Sequence, residues 1–499
     1  MLSVRRLFYV ILMVLGICGM FLLSNINERD TAIWSVKQEV RLDVEKKQKV
    51  LRRENRDNIE KSEEVQFYIL GDEKKELYGD IYRNVCGLME DLKVSWKKRS
   101  CIGDEELWDH KAIFIFCDDT LHSYVDLRRL ADFIEAGGKV ILAAGLAEGY
   151  EDSYLQPVLG IVEKTIKESY PKLRFQKGFF PVQEEEMTYD GYHASTWIAI
   201  RKEANVYVED AEGKVPIVYS YAYGNGETLL INSTILQDQR MMGFLAAGIG
   251  CLVKTFVYPV VGVESIALEH FPEVTSIDDK FCMKLYGRNT EAFVRDVVNP
   301  VLQGMAVRQQ LPYSIICEEE LSDRAKEKAN CVKGKSDSKT KSIDFQNRIS
   351  ENLLDTRGVD LERGNLLSIA SSLAGFGIVS HTFDVNQFLT MDGKEASWER
   401  AKYQLKDFEK RVLEHTEFLI KTTAADAKGA CKSYMDMDCS WKESKDCIVI
   451  YADNMVEGQP FFVRSKKRIR KAQGAEVVAL ENNYFFVRLN SCKAVLTLE

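Results

Sequence analysis

The residues of this chain best suited to chemistry are few, and two of them are adjacent. Asp278 and Asp279 follow the strand-like run Ser265–Leu268. Neighbouring carboxylates near the C-terminal end of a strand can divide labour, one binding a divalent metal and the other acting as general base on a metal-bound water. The competing reading is a solvated turn. The chain has 6 histidines, His110, His122, His193, His270, His381 and His415, and His270 lies close enough in sequence to the aspartates to serve as a further ligand. A lone histidine beside Phe271-Pro272 is more often structural. Gly224-x-Gly226 falls between two strand-like runs, which makes it a turn and not a dinucleotide cradle. The chain has 12 cysteines but no Cys-x-x-Cys, which disfavours zinc ribbons and thioredoxin-like chemistry.

The elements that position these residues alternate between strand and helix. At 499 residues the chain has room for three or four folded units. Residues 1–24 read as a membrane anchor and 25–64 as a charged linker, followed by an α/β domain over 65–260. In that domain Val65–Leu70, Ala112–Cys117 and Lys139–Ala144 are apolar strands. Leu77, Ile81, Val85, Leu88 and Leu92 recur at helical spacing, and a helix over Val125–Glu135 stops at Gly137-Gly138. This order predicts right-handed parallel crossovers in a flavodoxin-like sheet, closed by a hairpin through Gly224-Asn225-Gly226. A second α/β unit, a β/α barrel, is expected over 261–444, with a helix at Glu291–Val307, strands at Tyr313–Cys317 and Gly377–Ser380, and a polar insertion at 318–342. Short strands at roughly ten-residue spacing predict a small C-terminal β cap over 445–499.

The N-terminus sets the compartment. Leu7 to Leu23 carries no charge, follows Arg5 and Arg6, and has no small-x-small cleavage site after it. That pattern predicts an uncleaved single-pass anchor with the arginines on the cytoplasmic side and the bulk of the chain extracytoplasmic. The net charge of −9 makes nucleic acid a poor partner. Cys117 and Cys447 lie in apolar runs and are expected as buried thiols, whereas Cys431 and Cys439 are spaced for a local bridge.

Three resemblances add to this reading. The first domain, with its closing hairpin, resembles the glutamine-amidotransferase-like fold, but its turn Gly145-Leu146-Ala147-Glu148-Gly149 offers no nucleophilic thiol, which leaves a scaffold or binding domain. The region around Asp278-Asp279 resembles NodB-like polysaccharide deacetylases. That resemblance implies Asp278 as catalytic base, Asp279 and His381 as metal ligands, and zinc or another divalent metal as cofactor if the barrel is active. In His381-Thr382-Phe383-Asp384-Val385 the first histidine and the threonine match the family motif, while Val385 stands where a second histidine belongs, so a degenerate barrel with no cofactor is expected.

The anchor, the first domain, the segment Tyr286-Gly287-Arg288-Asn289-Thr290-Glu291 leading into Phe293-Val294-Arg295-Asp296, and the ending strands together resemble a membrane-anchored bacterial family of unknown function encoded with Pel-like exopolysaccharide genes. This implies a role in making, modifying or guiding a secreted polysaccharide, with other exopolysaccharide-synthesis proteins as partners. Arg288, Asn289 and Glu291 become candidate sugar contacts, their alternative being a capped helix start. Polymer binding or scaffolding is the leading expectation. An active metal-dependent deacetylase and a sensor or assembly partner in a membrane complex are the alternatives.

Overall fold

The computed structural model describes residues 50–52, 65–103, 107, 109, 111–146, 154–189, 191–271, 274, 279–316, 353–355, 366–386, 397–481 and 483–499. The expected anchor, most of the linker, the 318–342 insertion and Asp278 lie outside them. Among the described residues no helix is long and apolar enough to cross a membrane.

The first domain is built on a mixed nine-stranded sheet. Its order is Trp96–Arg99, Phe67–Leu70, Ile113–Phe116, Lys139–Leu142, Gly226–Ile231, Pro216–Tyr223, Asn205–Asp210, Lys172–Phe175 and Glu186–Thr188. The first five strands are parallel and the rest antiparallel. Three of the parallel strands were legible because they are continuous apolar runs, all four residues of Ile113–Phe116 being buried, whereas the edge strand Trp96–Arg99, with three cations, gave no such signal. The antiparallel extension mixes charged and apolar residues, as in Lys172–Phe175, and gives a weaker signal. Helix Tyr78–Asp91 buries Ile81, Val85 and Leu88 on one face. Helix Leu127–Ala136 begins at Asp126, whose side chain accepts from the Arg128 and Arg129 amides, and ends at Gly137. The hairpin pairs Tyr223 with Gly226 across a turn in which Gly224 adopts φ +60°, a conformation that favours glycine.

The second region centres on a parallel sheet ordered Tyr313–Ile316, Val263–Glu269, Ile378–Asp384 and Leu353–Asp355, with Ile420–Lys421 adding beside Val263 and Glu264. Among the described residues these strands form an open sheet, and closure into the expected barrel is not shown. The helix expected over Glu291–Val307 runs as Thr290–Phe293, a π-helical turn Val294–Val298, and Asn299–Arg308. Pro300 at the start of the last piece has no N–H to donate, and the widened turn accommodates it.

The cap is a sandwich of two four-stranded antiparallel sheets, one ordered Thr255–Pro259, Gln459–Ser465, Tyr484–Leu489, Ala475–Ala479, the other Asp438–Glu443, Cys447–Asp453, Lys493–Leu498, Ile469–Gln473. Two strands reach it from further upstream than 445. Val257, Phe461, Val463 and Val487 of one sheet share an apolar core with Ile448, Ile450, Leu496 and Leu498 of the other. Cys117 is a buried free thiol as expected, and Cys447 is half-buried. Cys431 is also a free buried thiol, pushed up to about 12 by burial, so the bridge to Cys439 is not formed.

Candidate functional site

Strand register decides the fate of His381. In the parallel pair Val263–Glu269 and Ile378–Asp384, Ser265 lies opposite Ser380 and Ile266 opposite His381, so alternation puts Glu264 and His381 on the same face. His381 Nε2 meets Glu264 Oε1 at 2.9 Å, and both side chains are completely enclosed. The Glu264 carboxylate also accepts from Thr416 Oγ1, at 3.0 and 2.9 Å to its two oxygens, and pairs with Lys421 Nζ. Lys421 in turn donates to Thr416 O at 3.0 Å. Phe408 closes the histidine off edge-on, its ring 4.7 Å from the imidazole centroid. This is a buried ion network with the imidazole Nε2–H donating into it, while His381 Nδ1 is buried without a hydrogen-bond partner.

The other expected site residues lie elsewhere. Asp279 is exposed at the start of helix Asp279–Tyr286, where its carboxylate accepts from the Thr290 amide at 3.0 Å; that bond holds its pKa below the usual aspartate value. Arg288 pairs with Asp296 at 3.1 Å. Asn289 caps the Thr290–Phe293 helix by accepting from the Ala292 amide at 2.9 Å, and Glu291 sits in its first turn. His270 is exposed, with φ 51°. No group of three or more His, Cys, Asp or Glu among the described residues is arranged to hold a metal.

Two polar clusters in the first domain escaped sequence reasoning. Strand order reverses between Phe67–Leu70 and Ile113–Phe116, and open α/β sheets bind ligands beyond the C-terminal ends of strands at such a switch point. There Lys75 Nζ reaches Asp118 Oδ1 at 2.5 Å, Asp119 Oδ1 at 3.4 Å and Thr120 Oγ1 at 3.0 Å. Tyr78 OH donates to Asp119 at 2.7 Å and Tyr124 OH to Asp118 at 3.0 Å. Burial opposes ionisation of Asp118, but Lys75 and Thr120 outweigh it and bring the carboxyl below its ordinary value. The second cluster has the form of a serine–histidine pair. Ser233 Oγ lies 2.8 Å from His193 Nδ1, whose Nε2–H donates to Tyr170 O at 2.8 Å. Both residues are wholly buried, and Ser233 accepts from the Ile235 amide at 3.1 Å, so no substrate has access to the hydroxyl.

An open concavity lies at the opposite end of the first sheet. A cleft of about 800 Å³ lies between the N-terminal ends of its strands and the cap, lined by Phe67, Lys139, Lys254, Phe256, Ser440 and Trp441 among others. Its walls include two outermost strands, Thr255–Pro259 and Asp438–Glu443. A volume of this size is in the range of small-ligand sites. The residues come from well-separated segments, which is why no motif announced them.

With this geometry in place, the chain can be set beside known proteins. A bacterial family described as uncharacterised proteins conserved in bacteria (DUF2194) matches residues 82–352, more than half of the chain. This chain belongs to that family. No curated protein matches it. Among solved structures, the carbohydrate deacetylase Agd3 is similar over 87% of this chain and 98% of its own, at 9% identity and a TM-score of 0.47. A ThuA-like protein from Bacteroides uniformis is similar over 39% of this chain and 93% of its own, at 11% identity and a TM-score of 0.31. A beta-galactosidase from Bacillus circulans has 15% identity and a TM-score of 0.25, the likeness covering 36% of this chain and 30% of the galactosidase.

Proposed function

We propose that this member of the DUF2194 family binds and positions a secreted polysaccharide at the outer face of the membrane, as a non-catalytic component of exopolysaccharide synthesis. The uncharged run Leu7–Leu23 behind Arg5 and Arg6 supports the anchoring. The observation that carries the binding role is the cleft between the first domain and the cap. Its lining combines Trp441, an aromatic residue half-buried against the cap core, with Ser95 and Thr255, whose hydroxyls can still accept from sugar hydroxyls.

The non-catalytic part of the proposal rests on His381. A deacetylase centre built on Asp278, Asp279 and His381 requires an imidazole open to metal and substrate. Here Nε2 is committed to Glu264, and the side chain exposes no surface.

Two measurements test the reading. The purified full-length protein in detergent is expected to co-sediment with secreted polysaccharide and to lose that retention in Trp441→Ala. It is expected to release no acetate from acetylated amino-sugar oligomers. Stoichiometric zinc that disappears in His381→Ala, together with acetate release, would replace the scaffold with the active deacetylase.

A further inference from the structure

The cleft that serves the proposed function carries charge largely of one sign. Lys93, Lys139, Lys254 and Lys442 line it, against a single acid, Glu443. The Glu443 carboxylate is already engaged, accepting from Thr255 Oγ1 at 3.0 Å. Lys139 donates to the Leu252 carbonyl at 2.7 Å, and among the described residues neither it nor Lys254 forms an ion pair. Burial lowers the Lys139 pKa, Glu227 opposes that and Lys254 adds to it, and the balance falls below the ordinary lysine value. Two neighbouring ammonium groups, one of them partly desolvated and with only the Glu227 carboxylate of the adjacent strand near it, therefore stand at the rim of an open cavity without an ion pair. Ser440 Oγ, in the same wall, is buried with no hydrogen-bond partner.

Unpaired buried polar groups and uncompensated cations are costly alone and favourable once a complementary ligand arrives. Resting on the polymer-binding reading above, we infer that the cleft takes an anionic saccharide, a stretch of chain bearing carboxylates on its sugars. The carboxylates meet Lys139 and Lys254, and the part of Trp441 left open beside the cap core meets a sugar face. The net charge of −9 on the whole chain points the other way, towards a cationic polymer. Charges farther than about 10 Å are largely screened at ordinary ionic strength, so the lysines at the cleft decide the sign a bound segment experiences.

The test is calorimetric titration of the full-length protein in detergent with oligogalacturonate, a neutral oligogalactoside and a chitosan oligomer, all of matched length, and with an oligoglutamate peptide. Oligogalacturonate is expected to bind most tightly, to weaken as salt is raised, and to bind about tenfold more weakly to Lys254→Glu. Lys254 is exposed, and its replacement leaves the fold intact. Tighter binding of the neutral or chitosan oligomer, lost in Trp441→Ala, overturns the anionic assignment while polymer binding survives. Oligoglutamate binding as tightly as oligogalacturonate overturns the choice of a saccharide. If no oligosaccharide binds, the polymer-binding reading and this inference fall together.

Discussion

Glu264 and His381 face each other across adjacent parallel strands, Oε1 to Nε2 at 2.9 Å, with no exposed surface on either side chain. The carboxylate is shared with Thr416 and Lys421, so three side chains from two other segments contact one buried charge. Breaking such a set from one side leaves a charge without a partner. Glu264→Gln is expected to cost about 3–5 kcal/mol, whereas Glu264→Met combined with Lys421→Met recovers most of that loss. Denaturant unfolding of the two variants checks this, and equal destabilisation would mean that the ion pair is not the stabilising element.

Arg464 ties the cap to the first domain. Its guanidinium donates to Ala247 O at 2.6 Å and Gly178 O at 2.7 Å and lies 5.1 Å from the Tyr484 ring centroid. Arg464→Met strands both carbonyls and is expected to cost about 1.5–3 kcal/mol for each charged hydrogen bond lost. Arg464→Lys should not rescue it, because one ammonium cannot reproduce the planar fork. Thermal unfolding is expected to show the cap separating from the first domain in both variants.

Gly226 pairs with Tyr223 at the end of the closing hairpin, against helix Leu127–Ala136. A Cβ there would stand 2.0 Å from Ile134 O and 2.4 Å from Gly138 O, both backbone atoms that cannot swing aside. Gly226→Ala is expected to destabilise the domain by about 1–3 kcal/mol through overpacking. A melting temperature matching the parent protein would refute that contact.

His193 supplies a pH dependence. Burial pushes its pKa below the ordinary histidine value, and the bond to Tyr170 O opposes this only in part. The unfolded chain binds a proton near pH 6.5 that the folded chain refuses. Stability therefore falls as pH drops from about 6.5 towards the lower folded pKa, and above that window the group contributes no slope. The difference in melting temperature between the parent protein and His193→Gln, followed from pH 8 to about 5, should shrink as acid is added. A constant difference would show that His193 takes up its proton equally in the folded and unfolded states.

Much of the first domain was legible in the chain. The strands Phe67–Leu70, Ile113–Phe116 and Lys139–Leu142, the helix ended by Gly137 and the glycine hairpin follow from apolar runs and turn chemistry, which act over a few residues, whereas the charged edge strand Trp96–Arg99 does not. The antiparallel extension from Lys172 to Asp210 was not, because half-exposed strands with charged residues resemble loops. Asn289 shows the same limit within a motif. Its position suited both sugar contact and helix capping, and the bond to the Ala292 amide shows it acting as the cap.

By itself the sequence determined the alternation of strand and helix, three apolar strands of the parallel half of the first sheet and the β character of the ending, since these depend on the spacing of neighbouring side chains. Only the tertiary structure decided where His381 points and that Lys139, Lys254 and Trp441 share one cleft. The first depends on register between strands more than a hundred residues apart, and the second on how separate domains dock. Neither leaves a local pattern, because each is set by long-range packing and burial.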